Sequence, residues 1–77
     1  MKIANREMVA ALRSRYPAGT RVELISMNDP QAPPAGTKGT VRGVDDIGSI
    51  LISWDNGSGL NAIPGEDVIK IIQEKTK

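Results

Sequence analysis

The chain has 77 residues, a net charge of +1, no cysteine and no histidine. That length supports one domain, which buries about 60% of the surface its unfolded chain exposes, so its core is small. Without cysteine there is no disulfide, thiolate nucleophile or cysteine-bound metal, and without histidine the commonest general base near neutral pH and the commonest metal ligand are missing.

The charge is unevenly spread. Residues 1–17 carry Lys2, Arg6, Arg13 and Arg15 against Glu7. Residues 18–69 carry Arg21, Lys38 and Arg42 against Glu23, Asp29, Asp45, Asp46, Asp55, Glu66 and Asp67. Residues 70–77 carry Lys70, Lys75 and Lys77 against Glu74. The body is therefore acidic and both ends are basic, the reverse of the usual pattern in a nucleic-acid reader. The N-terminus lacks an apolar run before a cleavage-like site, and no stretch approaches the length of a membrane span. The sequence reads as a cytoplasmic protein with no membrane segment.

Asn5 suits a helix N-cap, since its side-chain oxygen accepts from a backbone N–H one turn on. Met8, Val9, Leu12 and Tyr16 then recur at helical spacing. Arg13 and Arg15 complement the C-terminal end of the dipole, and Pro17 disfavours helical geometry at Tyr16. The predicted helix therefore covers about residues 5–16. A helix this short is unstable alone in water, so its apolar face must pack on the rest of the chain.

After the turn at Ala18-Gly19, Thr20 to Met27 alternates as a strand, with Val22 and Leu24 on one face and Arg21 and Glu23 on the other. Asn28 to Gly36 holds three prolines and is a long, stiff loop. Lys38 to Val44 is a second strand, in which Gly39 and Gly43 suggest bulges or sharp bends. Asp45-Asp46-Ile47-Gly48 is a turn. Ser49 to Trp54 is a third strand, with Ile50, Ile52 and Trp54 on one face. Asn56-Gly57 is a strong hairpin signal, because both positions tolerate positive φ. Gly59 to Ile63 returns as a fourth strand, Pro64-Gly65 turns, and Val68 to Ile72 is a fifth. Residues 73–77 are polar, and a frayed tail is expected there. Five short strands with turns between them predict a mainly β fold, a small five-stranded SH3-like barrel over residues 19–72 with the helix packed against it.

Few residues suggest chemistry. Gly57-Ser58-Gly59-Leu60-Asn61-Ala62 matches a loose dinucleotide-binding pattern, but Pro64-Gly65 leaves no room for the helix that must receive the pyrophosphate. Gly36-Thr37-Lys38-Gly39-Thr40 lacks the phosphate-loop spacing and enters a strand. Asn56-Gly57-Ser58 is a formal glycosylation sequon that reads as the turn itself. Nothing adjoins Asp45 and Asp46 to complete a metal or acid–base site, and Ser49, Ser53 and Ser58 have no histidine to activate them. No enzyme, metal or cofactor is expected. Pro30-Gln31-Ala32-Pro33 is a PxxP that reads as loop stiffening. Trp54 is the only tryptophan, and its place on an apolar strand face predicts core packing, with one edge near the turn left for a partner.

Five stretches follow one another in order: Tyr16-Pro17-Ala18-Gly19-Thr20-Arg21-Val22-Glu23-Leu24, Pro33-Pro34-Ala35-Gly36-Thr37-Lys38-Gly39-Thr40-Val41, Val44-Asp45-Asp46-Ile47-Gly48, Trp54-Asp55-Asn56-Gly57-Ser58 and Ile63-Pro64-Gly65. Together they resemble an uncharacterised prokaryotic and phage family catalogued as domain of unknown function 4314 (DUF4314). The resemblance implies an SH3-like fold and a bacterial setting tied to mobile elements or phage; it implies no activity. Gly39-Thr40-Val41, Ile52-Ser53-Trp54-Asp55-Asn56-Gly57-Ser58, Asn61 and Gly65 also resemble the peptide-binding mind-bomb-type recognition domain, which carries an extra loop and more aromatics. Gly39-Thr40-Val41 alone is similar to the turn of KOW modules, which bind RNA or protein.

Two functions are expected. The first is a protein or peptide interaction module whose surface comprises Trp54, Asp55, Asn56, Asp45, Asp46, Pro33 and Pro34, with a basic partner favoured on charge. The alternative is a nucleic-acid accessory protein using Arg6, Arg13, Arg15, Lys70, Lys75 and Lys77, whose binding should weaken steeply with salt. A free edge strand also allows a weak homodimer in place of a monomer.

Overall fold

The computed structural model describes residues 6–73. Helix α1 spans Arg6–Arg15 and is followed by strands β1 (Arg21–Ser26), β2 (Lys38–Val44), β3 (Ile50–Trp54) and β4 (Val68–Ile71). The strands form one antiparallel sheet in the order β3-β2-β1-β4. The expected N-cap, Asn5, lies outside the described residues.

Helix α1 ends where the proline predicts. The Tyr16 N–H donates to the Leu12 carbonyl at 2.8 Å, and the Pro17 carbonyl then accepts from both the N–H and the hydroxyl of Thr20. Val9 and Tyr16 are buried and Leu12 is half-buried. These three share one stripe, whereas Met8 sits about 100° round the helix from Val9 and stays 51% exposed. Arg13 ties the helix to the sheet: its Nε donates to the Val44 carbonyl at 3.1 Å and its Nη2 to Asp46 Oδ1 at 2.9 Å.

The core lies on one face of the sheet, under α1. Val22, Leu24, Val41, Ile52 and Trp54 supply its floor, with Val44, Ile50, Ala62, Val9 and Tyr16 around them, and Leu12, Met27 and Ile69 packed at its margin. Of the two glycines in β2, Gly43 accompanies a register shift against β3. Gly39 has a different purpose: it pairs with Trp54, and a Cβ there would lie 2.8 Å from side-chain atoms of both Ile52 and Trp54.

Four strands form, not five, and the sheet stays open and does not close into a barrel. The fourth expected strand, Gly59 to Ile63, is reduced to two attachments at the ends of β3. The Trp54 N–H donates to the Ser58 carbonyl, and Ile50 and Ala62 exchange both backbone bonds. Between them, a regular ladder would set Leu60 opposite Ile52. Instead the Leu60 carbonyl accepts from the Trp54 indole Nε1 at 2.8 Å. The competing indole donor draws the return out of the sheet.

The chain then crosses to the far edge through a turn at residues 63–67. The Ile63 carbonyl accepts from Glu66 and Asp67, while Asp67 accepts from the Ile63 N–H through Oδ2 and from the Asn28 N–H through Oδ1. Gly65 supplies the positive φ that the turn needs, at +93°. This crossing delivers β4 to the outer side of β1.

Candidate functional site

The turns absorb the polar groups that the sequence singles out. Asp45 Oδ1 accepts from the backbone N–H groups of Ile47 (3.1 Å) and Ser49 (2.8 Å). Asp46 pairs with Arg13. Asn56 Oδ1 accepts from the Ser58 N–H. Pro33 is buried, and exposed Pro34 offers its carbonyl to the N–H and hydroxyl of Thr37. Trp54 is buried, with its indole N–H bonded to Leu60.

Asp55 takes two hydrogen bonds from the Arg21 guanidinium, at 2.9 and 2.7 Å, and Arg21 also donates to Thr40 Oγ1. Those hydrogen bonds hold the Asp55 carboxyl below its usual range, against a loss of hydration that opposes them and with help from the positive charges of Arg21 and Lys38. The arrangement ties β1 to the β3 end.

These residues do not form one surface. Trp54, Asp55 and Asn56 stand with the 33–37 loop at the Lys38 end of β2, whereas Asp45 and Asp46 follow its Val44 end. Seven residues of extended chain, roughly 20 Å, separate the two groups.

The basic residues are also divided. Arg13 is engaged with Val44 and Asp46, and Arg15 lies over the Tyr16 ring at 5.6 Å while its Nε donates to the Tyr16 hydroxyl. Arg6 is exposed on the first turn of α1. Lys70 is on the sheet face opposite the helix, with its Nζ 4.0 Å from Glu23. Lys75 and Lys77 lie outside the described residues. Among the described residues no three His, Cys, Asp or Glu side chains are grouped to hold a metal. No described helix is long and apolar enough to cross a membrane.

The surface that emerges is the outer edge of β4. Alternation fixes which backbone groups face it. Ile72 donates to the Arg21 carbonyl and Lys70 sits opposite Glu23, so residues 70 and 72 turn their backbone groups toward β1. Ile69 and Ile71 turn theirs outward, where no partner is present among the described residues. Val68 is 51% exposed and Ile71 41%.

Beside this edge runs a groove of about 250 Å³ between α1 and β4. Leu12 and Tyr16 line the helix side, Val68 and Ile69 the strand side, and Ile50 and Ala62 lie between; Arg15 and Asp67 add one charge of each sign. A sequence signal for the groove exists in Val68-Ile69-Lys70-Ile71-Ile72, which is apolar on both faces of the strand, more than a strand with one solvated face needs.

The family model for the domain of unknown function DUF4314 matches residues 5–72. The chain belongs to the DUF4314 family. The match takes in α1, all four strands and the crossing turn, so the β4 edge lies within the family domain. None of the curated proteins matches the chain.

Proposed function

We propose that this DUF4314 protein is a non-enzymatic protein-interaction module that accepts an extended segment of a partner along the outer edge of β4. One observation carries the reading: the outward backbone groups of Ile69 and Ile71 lie beside a mostly apolar groove, on a strand that exposes Val68 and Ile71. Strand addition draws affinity from main-chain hydrogen bonds and specificity from pockets that take alternate side chains, and this edge supplies both parts. A nucleic-acid role finds less support, because Arg13, Arg15 and Lys70 already have partners on different parts of the fold.

The test is to pan a displayed library of random extended peptides on the protein and map the selected peptides by amide shifts. Shifts should fall on residues 68–72 and on the groove residues Leu12 and Tyr16. Ile71→Pro removes one outward N–H while sparing the β1 ladder, because the Ile71 N–H does not face β1. Its binding should drop at least tenfold with the fold intact. Peptides that map elsewhere, or that bind this variant equally well, defeat the proposal.

A further inference from the structure

We infer that the segment which fits the β4 edge is β4 of a second copy of this chain, joined antiparallel about a two-fold axis at Lys70. The inference rests on the edge-binding reading above and names the occupant.

The outward backbone groups belong to residues two apart, Ile69 and Ile71. An axis through Lys70 sets Ile69 opposite Ile71 of the second copy and Ile71 opposite its Ile69. Each pair exchanges two N–H to carbonyl bonds, four in all, with no outward group of either residue left over. Slipping the axis to Ile69 or Ile71 pushes one copy's pairing into the crossing turn or past the end of β4, where the strand geometry stops.

The side chains suit the same register. Ile69 and Ile71 lie on the core face, opposite Leu24 and Val22. Their meeting with the same two residues of the second copy extends the apolar floor across the junction and covers the exposed part of Ile71. In the same register Val68 comes opposite Ile72, and on the other face Lys70 comes opposite Lys70. The two ammonium groups would repel, but each copy has Glu23 beside its own Lys70, at 4.0 Å. The row across the junction therefore reads acid, base, base, acid and is neutral. A neutral, apolar edge favours its own kind over a strongly charged partner.

The edge has few of the usual guards. Residues 68–71 contain no proline, their one charge, Lys70, lies 4.0 Å from Glu23 of the same copy, and the register shift in this part of the sheet falls in β1 between Leu24 and Ser26. By contrast the outer edge of β3 is capped at Trp54 and Ile50 by the return through Ser58 and Ala62. An interface one short strand long is small, so the association is weak and reversible.

The experiment is sedimentation equilibrium of the full chain from ~20 µM to ~2 mM, with isotope-filtered NOE spectra of a mixed labelled and unlabelled sample at the upper concentration. The apparent mass should climb toward twice the monomer value as concentration rises. NOEs between copies should join Ile69 to Ile71. Lys70→Glu leaves the strand backbone unchanged but sets four carboxylates in one row, and it should abolish the rise in mass, as should Ile71→Pro. A protein that stays monomeric throughout, or a dimer whose contacts lie elsewhere or that survives both substitutions, overturns the inference. If the monomer nonetheless binds selected peptides at residues 68–72, self-pairing fails and the edge-binding reading stands; if neither occurs, both fail.

Discussion

Gly39→Ala is the sharpest test of how the core is packed. Gly39 sits on the core face of β2, paired with Val22 on one side and Trp54 on the other. An added methyl would lie 2.8 Å from Ile52 Cγ2, 2.8 Å from Trp54 Cε3 and 3.0 Å from the Ser53 carbonyl oxygen. Ile52 is fully buried and Trp54 is 3% exposed, so neither side chain has space to retreat, and the Ser53 oxygen belongs to the ladder. Forcing a methyl group into a packed core costs about 1–3 kcal/mol. Alanine recovers about 0.5–1 kcal/mol of backbone entropy relative to glycine. The net loss is about 1–2 kcal/mol, which at about 4–8 °C per kcal/mol lowers Tm by about 5–15 °C. Gly59→Ala is the control, since its Cβ meets nothing within 4 Å and its φ is not in the left-handed region. It should leave Tm unchanged or raise it by the equivalent of about 0.4–1 kcal/mol. Thermal unfolding followed by circular dichroism measures both. A Gly39→Ala protein as stable as the parent would refute the packing described for β2 and β3.

Asp55→Asn tests the Arg21 pair through pH. The Asp55 carboxyl titrates lower in the folded chain than in the unfolded one, so the pair stabilises the fold above the unfolded pKa of about 4 and the contribution is lost as pH falls through the folded value. The variant should be less stable than the parent at pH 7, and the Tm gap should close on acidification; a gap independent of pH would exclude the ion pair as its source. Trp54→Phe keeps most of the ring but removes the donor to Leu60, so it should cost about 1–3 kcal/mol and speed amide exchange over residues 58–62. Neighbouring aspartates should behave differently. Asp45→Ala strips the turn of an acceptor used by two N–H groups and should cost about 1–2 kcal/mol in chemical denaturation. Asp46→Ala removes a pair whose carboxylate side is 96% exposed and should cost under about 1 kcal/mol.

Local structure was legible in the sequence wherever one short-range rule dominates. Proline stops α1 at Tyr16, alternation marks Val22 and Leu24 as inward, and Asn56-Gly57 turns the chain after Trp54, with positive φ at Gly57 alone and not at both positions. The fourth strand was not legible, because the hairpin signal at Asn56-Gly57 specifies the turn and the first rung only. The path of the chain beyond that rung depends on a contact six residues apart, between the Trp54 indole and the Leu60 carbonyl, which no periodicity records. The placing of Met8 on the packed face fails for a related reason: a helix that touches the sheet along one narrow stripe needs only Val9, Leu12 and Tyr16.

The candidate surface was hidden by a different confusion. Turns in a small domain collect Asp, Asn and Pro because those residues satisfy or restrict the backbone locally, so they look like a polar site when read in sequence. Asp45 and Asn56 spend their side chains on backbone N–H groups within a few residues of themselves, and Asp67 spends one oxygen on Ile63 and the other on Asn28 across the fold. An open edge has no such marker, because it is a property of strand order. Val68 to Ile71 is an edge because β4 pairs only with β1, at the end of the order β3-β2-β1-β4. The return through Ser58 and Ala62 attaches instead to the opposite edge, along β3, where the Trp54–Leu60 bond replaces the middle rung. The two edges therefore differ in kind: one is partly covered by the chain's own return, and the other is left to the partner proposed for it.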